Sequence, residues 1–225
     1  MKLKEEESDI LNGKKGPTLQ KIMKSVVEYG EIFNATHLAP IEFGAHVVMS
    51  FGLGIFTPLY EMHDEIIKAG LKVQKPFTLN PRPIDHQNVK SNFLQKLVYK
   101  IAFKKQSLLE EQYRYLGLKD DNAYTCTSFL PEVGNEPKFG QVVAASESMV
   151  VVYVNSVIGA RTLRNAGVMD VLFGILGKVP VFSYLTDEGR KAKWLVKLEL
   201  QTLPDAQMLG SLIGTHVIED TFYLE

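Results

Sequence analysis

An α/β fold is predicted, with partly parallel sheets and flanking helices. Two observations predict it. Stretches of strand composition, KVQKPFTLNP, YTCTS and MVVVYVNSV, alternate with amphipathic helical patterns along the chain. The helical patterns are regular: in TLQKIMKSVVEYGEIF, residues Leu19, Ile22, Met23, Val26 and Val27 recur at three- and four-residue spacing. With 225 residues the chain can bury a substantial core.

The elements follow in order. Residues 1–17 are polar, end in GKKGP and read as a loose lead-in with one helical turn over Glu5 to Leu11. Thr18 is placed to cap the first long helix. HLAPIEFGAHVVMSFG reads as a short strand and a loop. TPLYEMHDEIIKAG reads as a helix with Thr57 as cap, Pro58 in the first turn and Gly70 at the end. A strand in KVQKPFTLNP runs into the Pro-rich loop TLNPRPID, and the stretch 78–88 is the best candidate for a hinge or soft subdivision. A helix from about Val89 carries Phe93, Leu94, Leu97, Val98 and Ile101 on one stripe. SLLEEQYRYLGL closes at Gly117. Then come the strand YTCTS, a loop with Gly134 and Pro137, the apolar strand MVVVYVNSV and a helix near VMDVLFGIL. KWLVKLELQ alternates like a strand, and a last helix starts at Asp205.

Composition excludes several classes. Hydrophobic residues make up 45% and charged residues 23%, ordinary for a globular domain. A net charge of -1 provides no field for nucleic acid or an anionic membrane, so neither is expected as a partner. Lys100, Lys104 and Lys105 lie near Glu110 and Glu111, the pattern of a solvated helix face. No stretch reaches the roughly 18 apolar residues of a membrane span. One cysteine, Cys126, rules out an intramolecular disulfide and a self-contained cysteine-rich metal site. The N-terminal MKLKEEESDILNGKKG lacks a signal peptide's apolar core, and a reducing cytoplasm is the expected compartment. No HExxH, P-loop or GxGxxG pattern occurs, and the glycine pair in FGLGIF is weak evidence for phosphate. His37, His63, His86 and His216 lack ligand spacing, and His46 reads as a satisfied histidine.

Five blocks carry a resemblance: TLNP at 78–81, then TCT, NEPKFG, ASES and VVYVNSVIGARTLRNAG between Thr125 and Gly167. Together they resemble the catalytic subunit of the aconitase X family, and residues 1–225 read as its N-terminal portion. NSVIGART, Asn155 to Thr162, is the most specific part. The resemblance implies an aconitase-like fold. It also implies a dehydratase acting on a small hydroxylated carboxylic acid, such as a hydroxyproline or a phosphomevalonate-type substrate. It implies an iron-sulfur cluster or iron ion held mainly by cysteines. A smaller swivelling domain, fused or separate, would complete the site with a serine.

Residue by residue, the resemblance makes Cys126 a metal ligand, against the alternative of a small thiol filling space beside a sheet. It makes Arg161, with Arg164 and Thr162 beside it, the anion-binding group, since a guanidinium fork suits a carboxylate. Glu147 and Ser148 become catalytic candidates. Ser146, Asn155, Ser156 and Asn80 become substrate-binding candidates, with loop-tying or capping as their alternative. Departures weigh against activity. Leu163, Asn165 and Ala166 stand where the family has an amide, a carboxylate and a glycine. Met149 follows SES, and Ser128 replaces a proline. One thiolate cannot hold a cluster. Two functional expectations result. In one, the chain is part of an iron-dependent hydro-lyase completed by other polypeptide and is inactive alone. In the other, it is a shortened relative that binds small anions or another subunit.

Overall fold

The computed structural model describes residues 1–84, 88–218 and 221–225. It has mixed α/β architecture and divides into two compact units, Met1–Phe182 and Ser183–Glu225. Residues 78–88 lie inside the first unit, and Asp85, His86 and Gln87 fall outside the described residues, as do Glu219 and Asp220.

The lead-in is not loose. Helix α1 spans Glu5–Leu11, and Glu7, 1% exposed, pairs with Lys178 at 2.6 Å. Helix α2, Pro17–Ile32, starts one residue before the expected cap: Gly16 is the N-cap and Pro17 fills the first turn. Proline has no N–H to leave unpaired there, and Thr18 instead lies 3.5 Å from Glu65. The apolar stripe of α2 buries Ile22, Met23 and Val26.

Strands β1 (Leu38–Pro40), β2 (His46–Val47) and β3 (Thr78–Leu79) follow, with helix α3 (Thr57–Lys68) between the last two. Phe56 precedes α3 as its cap, and the Thr57 hydroxyl donates to the Gly54 carbonyl at 2.9 Å. Helix α4, Phe93–Ala102, has the predicted stripe, but Phe93, Leu94, Leu97, Val98 and Ile101 are all exposed and the helix buries no residue. Asn92 and Gln95 form its capping box. Helix α5, Gln106–Leu116, ends at Gly117, whose φ of 119° only glycine adopts cheaply.

The apolar run MVVVYVNSV is a helix, not a strand. Helix α6 spans Ser148–Tyr153 and passes into a π-turn over Val154–Ile158. A continuous apolar run is ambiguous between a buried strand and a buried helix. Burial resolves it: Val150, Val151 and Val154 pack with Phe129, Val143, Ala145 and Ala160, while Val152 and Val157 face solvent. That is helical periodicity. Gly159, at φ 72°, ends the turn, and a Cβ there would sit 2.6 Å from the Phe139 ring. YTCTS contributes a single bridge, Tyr124 to Leu79, rather than a strand.

Helix α7 (Gly167–Leu176) is buried nearly all round, and strand β4 (Lys178–Pro180) pairs antiparallel with β1. Phe77 is fully buried and edge-on to Tyr113 at 5.6 Å; burying such a ring contributes about 1.5–3 kcal/mol. The second unit contains β5 (Trp194–Val196), α8 (Ala206–His216) and β6 (Phe222–Leu224), with Asp205 capping α8 through the Met208 N–H at 2.9 Å.

Candidate functional site

The first unit places its polar residues at one edge of a parallel arrangement. β2 pairs with β3 in parallel, and isolated parallel bridges extend the set: Tyr124 beside Leu79, Ala145 beside His46, and Arg161 beside Val142. All five segments therefore run the same way. Asn80, Cys126, Ser146, Glu147 and Arg164 lie at or just past their carboxyl-terminal ends, the edge where open α/β sheets bind ligands.

A hydrogen-bond chain links that edge. Asn135 Nδ2 donates to Thr78 Oγ1 at 3.0 Å, and Thr78 Oγ1 lies 2.9 Å from His46 Nδ1. His46 Nε2 lies 2.9 Å from Glu147 Oε2. A carboxylate only accepts, so His46 Nε2 carries the proton. Nδ1 is then the acceptor, and the Thr78 hydroxyl donates to it. Burial holds the His46 imidazole below its ordinary value, and the Glu147 carboxylate offsets this in part. His46 is the satisfied histidine expected, and its partner is the carboxylate singled out by ASES.

Cys126 is exposed and lies against Glu147. Desolvation, then the Glu147 charge and a hydrogen bond to it, raise the thiol above its ordinary value. A reactive cysteine needs the reverse, an electropositive neighbour that favours thiolate. The Glu147 carboxylate beside Cys126 therefore disfavours the thiolate.

Behind the edge sits a carboxyl group that the motif reading missed. Asp170, in the first turn of α7, is fully buried, and Asn165 Nδ2 donates to its Oδ1 at 2.9 Å. Burial pushes its pKa up to about 8, with Ser146 and Asn165 pulling it back in part. Asp170 Oδ2 has no hydrogen-bond partner of full geometry. Neither do the buried Asn80 Oδ1 and Tyr124 Oη, and buried polar atoms without partners are rare. The signal for Asp170 was legible: it is a lone carboxylate in the apolar helix GVMDVLFGIL.

Other predicted residues divide differently. The Ser146 hydroxyl accepts from the Val48 N–H at 2.9 Å, tying β2 to the edge. Ser148 is exposed and opens α6, with Glu147 as N-cap. Asn155 Nδ2 donates to the carbonyls of Val151 at 2.9 Å and Thr162 at 3.0 Å, while its Oδ1 accepts from the Thr162 N–H at 3.3 Å. That clamps the loop carrying the arginines. Thr162 is fully buried, and its hydroxyl accepts from the Ala145 N–H at 3.1 Å. Ser156 is exposed in the π-turn.

Arg161 follows a helix and the Gly159 turn rather than a strand. The register sets it abreast of Val142, so it lies about 13 Å of strand rise before Ser146. Arg164, three residues on and exposed, is nearer the edge along the chain. Sequence reasoning missed a third arginine. Arg82, two residues past Asn80, stacks over the Tyr124 ring at 3.6 Å and pairs with Glu110 at 3.1 Å. It borders a cleft of about 900 Å³ that also takes in Lys90, Lys96, Tyr99 and Lys100.

The donors present do not fit an iron-sulfur cluster. Cys126 is the one thiol of the chain, and among the described residues no three His, Cys, Asp or Glu side chains gather into a metal-binding group.

Comparison with known proteins agrees with the fold and with the family resemblance. The family model described as the aconitase X first domain matches residues 1–188. The phosphomevalonate dehydratase large subunit of Thermococcus kodakarensis is 34% identical over the whole chain, which covers 54% of that relative. That of Methanocaldococcus jannaschii is 30% identical over the whole chain, covering 55% of it. The cis-3-hydroxy-L-proline dehydratase of Pseudomonas aeruginosa is 27% identical over 91% of the chain and 34% of its own length. The crystal structure of Thermococcus kodakaraensis aconitase X in holo-form superposes with a TM-score of 0.81, covering all of this chain and 54% of that one. The chain thus spans about half the length of the large subunits it matches. The chain belongs to the aconitase X family, with residues 1–188 corresponding to the family's first domain.

Proposed function

We propose that this chain supplies the Glu147 edge of a hydro-lyase site that acts on a small hydroxylated carboxylic acid and that other polypeptide completes. One observation carries the reading. The Glu147 carboxylate is held by a His46 Nε2–H whose own orientation is set by Thr78 and Asn135, at the ligand-binding edge of parallel strands.

Dehydration removes a proton from one carbon and hydroxide from its neighbour. Glu147 is the group placed to take the proton: it is fixed, partly solvated and at the edge. The electron pair of the C–H bond becomes the new C=C bond, the C–O pair leaves with the hydroxide, and that hydroxide takes a proton from water or from a group of the completing polypeptide and departs as water. Asn80, 8% exposed and just past β3, is the polar side chain at this end of the strand for a substrate hydroxyl. Arg164 and the basic cleft beside Arg82 supply positive charge for the substrate carboxylate, and for a phosphate where there is one. Cys126, next to Glu147, can contribute a single donor to a metal held mainly by the completing polypeptide. The relatives' names make phosphomevalonate and cis-3-hydroxy-L-proline the first substrates to assay. A swivelling small subunit is the expected further partner.

The test is anaerobic assembly of this chain with the part of the Thermococcus kodakarensis large subunit that it does not span, together with that enzyme's small subunit. Dehydration of either substrate is expected, with Glu147→Gln lowering kcat about 10²- to 10⁴-fold. An assembled, folded complex inactive on both substrates, or one indifferent to Glu147→Gln, contradicts the reading.

A second reading rests on a different observation. The thiol is raised rather than lowered, and its donor set falls short of a cluster. Both suit a shortened relative that keeps the scaffold and binds small anions or another subunit without turnover. Saturable calorimetric binding of hydroxy acids by the metal-free chain, with no activity in any assembly, would select it.

A further inference from the structure

Among the described residues two acidic side chains are buried, and they are held differently. Glu7 has the Lys178 ammonium as counter-charge. Asp170, 0% exposed, is met by neutral donors, Asn165 Nδ2 at 2.9 Å from Oδ1 and the Ser146 hydroxyl. An ionised carboxylate buried without a counter-charge is costly, and such a group holds a proton instead. The N-terminal end of α7 favours an anion, but by less than that burial costs.

No cation on the elements packed against α7 reverses the balance. From α2, Tyr29 faces the site, while Lys21, Lys24, Glu28 and Glu31 pair elsewhere. His46 of β2 turns to Thr78 and Glu147, Lys178 of β4 pairs with Glu7, and Arg164 on the preceding loop is exposed. Tyr29 Oη donates to Asn165 Oδ1 at 3.3 Å, which leaves the amide Nδ2 to face Asp170 Oδ1. Oδ1 therefore accepts, and the proton of the neutral acid belongs on Oδ2, which makes no bond of full geometry with another donor. Ser146 Oγ is the group left to receive it. That oxygen accepts from the Val48 N–H at 2.9 Å and directs its own hydrogen to the His46 carbonyl at 3.4 Å.

We propose that Asp170 is a positioning residue for the Glu147 edge and acts as a neutral acid. Its Oδ2–H donates to Ser146 Oγ and leaves the Ser146 hydrogen for the His46 carbonyl. Ser146 adjoins Glu147, and His46 holds the Glu147 carboxylate, so the bond ties together the two segments that carry the pair. Ionisation gives the proton to solvent and reverses the pattern. A carboxylate only accepts, so the Ser146 O–H turns to Asp170, and the Ser146 N–H, at 3.3 Å, is left to hold the His46 carbonyl. Burial pushes the Asp170 pKa up to about 8, which sets the change on the alkaline side of neutrality. The catalytic consequence rests on Glu147 as the proton-taking group; the bonding pattern does not.

Infrared and nitrogen-15 NMR titrations of the full chain test the bonding, and kcat against pH in the complex assembled with the Thermococcus kodakarensis parts tests the consequence. A protonated-carboxyl C=O band should be present at about pH 6.5, disappear with a midpoint of about 8 and be missing from Asp170→Asn. The Val48 amide and His46 Nε2 signals should shift with the same midpoint. In Asp170→Asn they should stay at their low-pH positions, because the amide Nδ2 donates to Ser146 as the acid does and does not titrate. Asp170→Ala should displace them at every pH. In the complex, kcat should step down about 10- to 100-fold across pH 8 and in Asp170→Ala, with most of the loss recovered in Asp170→Asn. An Asp170 already ionised at about pH 6.5, or a His46 and Val48 titration that persists in Asp170→Asn, overturns the inference. So does an asparagine as damaging as alanine, or an active complex with no step near pH 8. The wild-type titrations decide the matter even where Asp170→Ala does not fold. Coupled titrations beside a complex inactive on both substrates keep the neutral-acid bonding and sink the Glu147 reading. An active, Glu147-dependent complex whose His46 and Val48 signals ignore Asp170 does the reverse.

Discussion

The two units of this chain differ in where their apolar surface goes. In Met1–Phe182, Phe77, Phe173, Met23 and Val26 are fully buried, and the polar groups of the Glu147 edge are bonded through Thr78 and Asn135. In Ser183–Glu225 the large apolar side chains of β5, α8 and β6 remain in water. The first unit holds a packed core, although the α4 stripe from Phe93 to Ile101 is exposed there too. The second has the backbone of an α/β element without the layers that would stabilise it. Hydrogen bonding can therefore draw a strand or a helix where packing does not yet hold it, and stability measurements should separate the two units.

The sharpest break of that comparison is a pair of truncations. Phe77→Ala should cost about 3–5 kcal/mol in urea unfolding, because it leaves a cavity against Tyr113. Leu212→Ala, on the exposed face of α8, should cost about 0.5 kcal/mol or less. Equal costs would erase the distinction.

A pH series sharpens the same point inside the first unit. Asp170, pushed up to about 8 from an unfolded value near 3.9, binds more protons folded than unfolded across that interval. Its contribution is present in full below the unfolded value and is lost as pH rises through 8. His46 and His63 are displaced the other way by burial, His63 to about 4, so they add stability as pH rises toward about 6.5. Below that pH the slopes oppose. Between about 6.5 and 8 Asp170 acts without them, and stability should fall by about 2 kcal/mol. Asp170→Asn should flatten that stretch of the curve.

A smaller effect separates neighbours in NSVIGART. Asn155→Ala removes three hydrogen bonds that hold Thr162 and the end of α6, and should cost about 1–3 kcal/mol. Ser156→Ala, on an exposed turn residue, should stay within about 0.5 kcal/mol.

What could be read from the sequence depended on whether the signal was local. Helices α2, α3, α5, α7 and α8 were visible because their spacing or their glycine and proline boundaries are written in neighbouring residues. The run from Met149 to Val157 was misread because continuous β-branched residues do not distinguish a buried strand from a helix packed on one side. Glu147 was visible through ASES and Cys126 through TCT. His46 was seen, but not as the partner of Glu147, because their contact joins residues 101 positions apart. Asn135, Thr78 and Arg82 entered the edge only when parallel pairing aligned segments distant in the chain. Arg161 stood out in its motif, and register, which no motif encodes, placed it short of the edge.

The most direct test of the account is the protonation of one imidazole. Nitrogen-15 NMR of selectively labelled histidine should show His46 as the neutral Nε2–H tautomer from pH 6.5 to 8, with its Nε2 signal shifting in Glu147→Gln. A His46 that is cationic in this range, carries its proton on Nδ1, or ignores the Glu147 substitution would contradict the proposed edge.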